Sequence, residues 1–155
     1  MAGEIRGAGR IGGRGRADYL FVYGTLRRGA GAPLAARLAR QAVFIGPGRF
    51  RGRLYLAKRY PAAIDSADPG DVVHGDLYRI GDDPGLIAAL DAYEGFDPAA
   101  LNRGGWRRCA RPVECARRCI CAWIYLYDGF IDETARIEGG DYLVARQAGR
   151  RSRRL

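Results

Sequence analysis

The chain has 155 residues, almost half of them apolar, which suits one domain with a core of its own. Its formal net charge of +9 sits at the ends: residues 1–17 carry four arginines against Glu4, residues 146–155 carry five arginines and no acid, and residues 18–145 are close to neutral. No run approaches the roughly 20 apolar residues of a membrane span, and the head lacks the apolar stretch of a secretory signal, so a soluble, cytoplasmic protein without membrane contact is expected.

Residues 1–17, with Gly and Arg dominating, read as a flexible arm. "YLFVY" (19–23) reads as a buried strand that Gly24 breaks. "APLAARLARQ" (32–41) is a short amphipathic helix, with Leu34, Leu38 and Val43 on its apolar side. "AVFIG" (42–46) and "GRFRGRLYLA" (48–57) are two strands separated by Pro47, and "YPAAID" (60–65) is a third extended run. "VVHGDLYRI" (72–80) alternates as a strand, with Val73, Gly75 and Leu77 on one face. "GDDPGLIAALDAYEG" (81–95) is the clearest helix: Asp82 or Asp83 caps it, Pro84 sits at its first position and Gly95 stops it. Residues 96–105 form a loop. "WRRCARPVEC" and "RCICAWIYLYD" pair about Ala116–Arg118, and "IEGGDYLVARQ" ends the domain as a turn and a terminal segment. Residues 18–145 are thus a single α+β domain with a mostly antiparallel, barrel-like sheet, followed by a basic tail over 146–155.

Lys58 is the only lysine among 26 basic residues, a bias expected of a GC-rich coding sequence. The arginine-rich ends are therefore read as solvated, biased tails rather than as a nucleic-acid surface. The cysteines, Cys109, Cys115, Cys119 and Cys121, lack the paired C-x2-C spacing of a zinc site and read as small apolar residues of a hairpin core. His74 is the sole histidine and lies mid-strand, which leaves Cys–His and Ser–His–Asp schemes without support.

Two segments remain that can carry chemistry. Tyr23-Gly24-Thr25-Leu26 is neither a P-loop nor a dinucleotide fingerprint. It is a turn whose successive N–H groups can hold an anion or a developing oxyanion, or simply a turn that ends a strand. Leu90-Asp91-Ala92-Tyr93-Glu94-Gly95 closes the best helix. A carboxylate there faces the negative end of the helix dipole, which raises its pKa, as burial does, and makes it a better base near neutrality. The plain alternative is a solvated helix-end glutamate. Asp91 and Asp97 read as surface or turn residues.

The two segments, with "FVYGTLRRG" (21–29), "GRLYLAKRYPAAI" (52–64), "VHGDLYRI" (73–80), "LDAYEGF" (90–96) and "AWIYLY" (122–127) in this order, resemble the AIG2-like branch of the gamma-glutamylcyclotransferase superfamily. The resemblance implies a small β-barrel flanked by helices, with both motifs at one cavity. It implies Glu94 as catalytic acid/base, the backbone of Tyr23, Gly24, Thr25 and Leu26 as the cradle of a small gamma-glutamyl substrate, and Tyr125 or Tyr127 in the pocket wall, with no metal or cofactor required. The implied reaction closes a gamma-glutamyl group on itself to give 5-oxoproline and a free amine. The chain departs from the pattern at Trp106-Arg107-Arg108, where Tyr-x-Arg is common, and at Asp76, where a glutamate is common. A catalytically silent binding module on the same barrel, and an adaptor contacting nucleic acid through its basic ends, are the competing readings.

Overall fold

A computed structural model describes residues 17–81, 83–99 and 105–154. Residues 1–16 of the expected 1–17 arm, Asp82 as a cap and residues 100–104 of the expected loop lie outside the described residues.

Among the described residues, six strands and three helices follow in the order β1 (Tyr19–Val22), α1 (Pro33–Gln41), β2 (Val43–Ala57), β3 (Tyr60–Asp65), β4 (Val72–Arg79), α2 (Pro84–Glu94), β5 (Trp106–Cys115), β6 (Arg118–Tyr127) and α3 (Tyr142–Ser152), with a 3-10 turn at Glu133–Ala135. The sheet runs β1-β4-β2-β3-β6 and closes where β6 pairs with β1, so five strands make a barrel and β5 is laid outside β6. Most pairings are antiparallel. The exceptions are the two that close the ring, β1–β6 at Leu20 and Trp123 and β3–β6 at Ala63 and Leu126. The expected α+β barrel is therefore the observed fold. Among the described residues no helix is long and apolar enough to cross a membrane.

Alternation along the strands sorts side chains into two cores. Phe21, Tyr23, Phe50, Leu54, Val73, Leu77, Ile124 and Leu126 cluster together. The opposite parity, Leu20, Val22, Tyr78 and Tyr125, packs against Leu38 of α1 and Leu86 and Leu90 of α2. β1 is apolar throughout because both of its faces are covered.

Several local expectations change. Pro47 does not interrupt the strand: β2 runs through it, with a register shift between Phe44 and Gly46 just before it, the kind of irregularity that admits proline inside a ladder. Val43 belongs to this strand and is exposed, not on the apolar side of α1. Residues 146–152, expected as tail, continue helix α3. That helix starts at Asp141, whose side chain accepts from Leu143 N and Val144 N, and it packs on the barrel through Tyr142 and Ala145. Cys115 is buried, but Cys119 and Cys121 are exposed. Inward-facing residues of β6 are Ala122, Ile124 and Leu126; Cys119 and Cys121 have the other parity and lie exposed near the hairpin tip.

Both tight hairpins place two residues in the left-handed region without glycine or asparagine: Lys58 and Arg59 (φ 49° and 71°) and Ala116 and Arg117 (φ 48° and 65°). This matches the twist of a type I′ turn but strains side-chain-bearing residues. Replacing Ala116-Arg117 by Asn-Gly should stabilise the fold by about 1–2 kcal/mol. Thermal unfolding would register this as a midpoint a few degrees higher, and an unchanged midpoint would refute the strain argument.

Candidate active site

β1 delivers the Tyr23–Leu26 turn to one end of the barrel. The turn closes with Arg27 N donating to Gly24 O at 3.1 Å. A Cβ on Gly24 would lie 2.4 Å from Cγ of Pro61, so only glycine lets the β3 proline approach. The backbone N–H groups of Thr25 and Leu26 find no acceptor among the described residues. Behind the turn, Asp76 is buried and accepts from Arg28 N at 2.9 Å, while Arg27 reaches Asp141, the cap of α3, at 3.0 Å.

α2 brings the second segment. Asp83 accepts from Gly85 N and Leu86 N, Pro84 opens the helix, and Gly95 (φ 70°) ends it. Gly95 N donates to Ala92 O and Phe96 N to Asp91 O, a pair of bonds that fixes the last turn in a Schellman arrangement. Glu94 is therefore held at a rigid helix end. The Tyr93 hydroxyl and Thr25 Oγ1 lie 2.6 Å apart and tie the two segments together.

Between them is a cavity of about 370 Å³, lined by Gly24, Thr25, Leu26, Pro61, Glu94 and Trp106 among others. Tyr23 and Tyr125 belong to its wall as well. Tyr23, Gly24, Thr25, Leu26, Glu94 and Tyr125 thus meet at one cavity, whereas Tyr127 packs at a tilt against Trp106, ring centroids 4.9 Å apart. Among the described residues, Glu94 is the only charged side chain in the lining. It has no hydrogen-bond or ion-pair partner among the described residues, and burial pushes its pKa up from 4.5 to about 7. The expected direction is met, with desolvation as its cause.

The two tyrosines are fixed and kept neutral. Tyr23 donates to the carbonyl of Tyr125 and accepts from Ala63 N at 3.2 Å. Tyr125 donates to Asp91 Oδ1 at 2.6 Å. Burial is the main reason both phenols sit far above their ordinary pKa. Asp91, expected at the surface, is instead buried at the centre of a network. Arg108 grips it with Nε at 2.8 Å and Nη2 at 3.3 Å, and the guanidinium lies 4.4 Å from the ring centre of Trp123. Ile87, Asp91 and Glu94 recur at four and three residues on one side of α2, and that spacing marks Asp91 as inward-facing in the sequence itself. Asp97 is a turn residue as expected, accepting from Ala99 N. His74 stays in mid-strand and is not among the cavity wall residues. No group of His, Cys, Asp and Glu among the described residues is arranged to hold a metal.

Comparison with known proteins converges on one family. The profile described as "Gamma-glutamyl cyclotransferase, AIG2-like" matches residues 20–144. The gamma-glutamylcyclotransferase family protein YtfP of Escherichia coli K12 is 34% identical over 131 residues, covering 80% of this chain and 95% of that protein. Its counterpart in Citrobacter rodentium is 32% identical over 131 residues, covering 80% and 94%. Among solved structures, an AIG2-like protein from Mus musculus superposes with a TM-score of 0.62 at 22% identity, covering 81% of this chain and 87% of that one. The uncharacterised protein PH0828 from Pyrococcus horikoshii gives a TM-score of 0.61 at 20% identity, covering 87% and 98%. These two likenesses speak to the fold.

Proposed function

This chain belongs to the gamma-glutamyl cyclotransferase, AIG2-like family, and we propose that it is an active cyclotransferase, releasing 5-oxoproline from a small gamma-glutamyl amide with Glu94 as acid/base. The α-amine of the gamma-glutamyl group attacks its own γ-carbonyl carbon and forms the new C–N bond. Glu94 takes the proton from the attacking nitrogen. The N–H groups of Thr25 and Leu26 steady the tetrahedral oxyanion, an effect of about 3–4 kcal/mol per donor in other enzymes. Collapse breaks the original C–N bond, and Glu94 hands its proton to the departing nitrogen. The products are a five-membered lactam and a free amine, with no water consumed. Because nucleophile and electrophile share one molecule, the site has only to hold the substrate folded in its near-attack shape.

The observation that supports this most is the position of Glu94: a carboxyl raised to about 7 and, among the described residues, without a partner, lining the same cavity as a turn with two backbone N–H groups that find no acceptor among those residues. A glutamate with that pKa can both accept and return a proton at neutral pH. The test is 5-oxoproline release from a panel of gamma-glutamyl amino acids, gamma-glutamyl-ε-lysine and gamma-glutamyl amines. Release from at least one is expected. No release from any would set the cyclotransferase aside and leave a ligand-binding module on the same barrel.

A further inference from the structure

Helix α3 changes character halfway along. Its first turns are tied to the barrel: Tyr142 and Ala145 pack on the core, Asp141 at its start accepts from Arg27 at 3.0 Å, and Arg146 Nη1 donates to Ala30 O at 3.0 Å. From Gln147 to Arg154 every residue is exposed, so the last two turns stand off the barrel. That segment is about 12 Å long at 1.5 Å per residue and carries Arg150, Arg151, Arg153 and Arg154. Gln147, Arg150, Arg151 and Arg154 recur at three- and four-residue steps and line a concavity of about 290 Å³. The sequence reads residues 146–155 as a loose tail. The structure instead mounts these guanidinium groups on an anchored helix.

Elsewhere arginine is matched to aspartate: Arg53 and Arg136 with Asp71, Arg107 with Asp128, Arg111 with Asp65. Residues 142–155 hold five arginines and no aspartate or glutamate. A GC-rich coding sequence accounts for arginine in place of lysine but does not remove acids. The helix dipole favours cations at this end, yet like charges three and four residues apart work against the helix, as does Gly149 within it. The family profile ends at residue 144, so these arginines lie beyond the part of the chain that it matches.

Such a surface fits a polyanion, and its composition selects the kind. A protein interface centres on apolar and aromatic side chains, and a helix lying on a membrane needs a broad apolar face. Between Gln147 and Arg154 the only apolar side chain is Ala148. Single-stranded nucleic acid is held by stacking on aromatic rings, and this segment has none. A duplex backbone asks only for cations: it carries one negative charge per roughly 1.7 Å and binds by releasing counterions. The guanidinium fork matches its phosphate oxygens.

We propose that the projecting half of α3 is a docking surface for the phosphodiester backbone of double-stranded nucleic acid, bound without regard to sequence. The test is fluorescence anisotropy of labelled DNA and RNA duplexes, titrated with the full chain at several salt concentrations. Two variants run beside it, Arg150→Gln/Arg151→Gln/Arg154→Gln and the same three positions changed to lysine. Duplexes of unrelated sequence should bind equally, with log K falling linearly against log salt. The glutamine variant should bind more weakly, with a slope shallower by roughly 2–3, because each phosphate contact contributes about 0.9. The lysine variant should keep the wild-type slope. The substituted side chains are exposed, so both variants keep the fold, and equal thermal midpoints check it. Binding of one duplex type alone would support the surface and name its source. No duplex binding, or a glutamine variant with the wild-type slope, would overturn the proposal. Tighter binding of a single strand than of its duplex would overturn the choice of duplex. Polyglutamate or phosphatidylglycerol vesicles held as tightly as duplex, with the same loss in the glutamine variant, would overturn the nucleic-acid assignment in favour of an acidic protein or a membrane.

Discussion

Glu94→Gln should lower kcat for 5-oxoproline release by about 10²- to 10⁴-fold, the usual worth of a positioned acid/base group, with KM little changed. Glutamine keeps the shape and loses the proton. The wild-type pH profile should carry the same signature. With the carboxyl at about 7, activity should rise as pH increases through that value, because the ionised form is the base. The variant should show no such limb. Stability should move the opposite way. Burial favours the neutral carboxyl, so above about pH 7 the folded protein holds a charge where a neutral group is preferred. The penalty is at most about 3 kcal/mol. It fades as pH falls from about 7 towards 4.5, below which folded and unfolded chains both carry the proton. Glu94→Gln should therefore melt higher than wild type at pH 8 and match it near pH 4.5. A variant with wild-type turnover would sink the assignment of the base. Equal melting at both pH values would sink the claim that burial sets the pKa.

The largest loss of stability is expected at Asp91. Removing its carboxylate with Asp91→Ala strands the Arg108 guanidinium, which is only 17% exposed, and leaves the Tyr125 hydroxyl without its acceptor. Breaking one side of a buried ion pair costs about 3–5 kcal/mol, a large share of the roughly 5–15 kcal/mol that holds a domain together. Replacing both partners by apolar residues, Asp91→Leu with Arg108→Met, should recover most of the loss, because no buried charge is then left alone. Activity should not return with it. Tyr125 would still lack its anchor, and Asp91 lies one helical turn before Glu94. Chemical denaturation of the two variants reads the first effect, and turnover of the refolded double variant reads the second. A double variant as unstable as Asp91→Ala would show that the network matters for something other than charge pairing.

The difference between Glu94 and Asp91 shows what a sequence makes legible. α2 announces both of its ends through short-range chemistry, Asp83-Pro84 at the start and Gly95 at the stop, and Glu94 is found by its place beside that stop. Asp91 depends on an arginine 17 positions away and a tyrosine 34 positions away, so nothing local marks its partners. β1 is readable because it is apolar on both faces. α3 is hidden because its cap, Asp141, follows two glycines and its helix is mostly polar, with Gly149 inside it. The outward-facing Cys119 and Cys121 mark the opposite limit. Residue type suggests the core, and only the parity set by Ala122, Ile124 and Leu126 places them outside it.

The barrel is closed by its last strand, since β6 sits between β1 and β3. Tyr23 and Tyr125, which share a hydrogen bond in the wall of the site, are 102 positions apart. A chain emerging from a ribosome therefore has the cradle turn and Glu94 outside the tunnel well before it has the strand that joins them. Until β6 is inserted, β1 and β3 are open edges flanked by apolar surface, a state prone to pairing with other chains. Refolding from denaturant should accordingly be slow for a domain of this size, on the scale of milliseconds to seconds, because its closing contacts are so distant in sequence. Activity should appear only with that slow phase and never in fragments that stop short of residue 127.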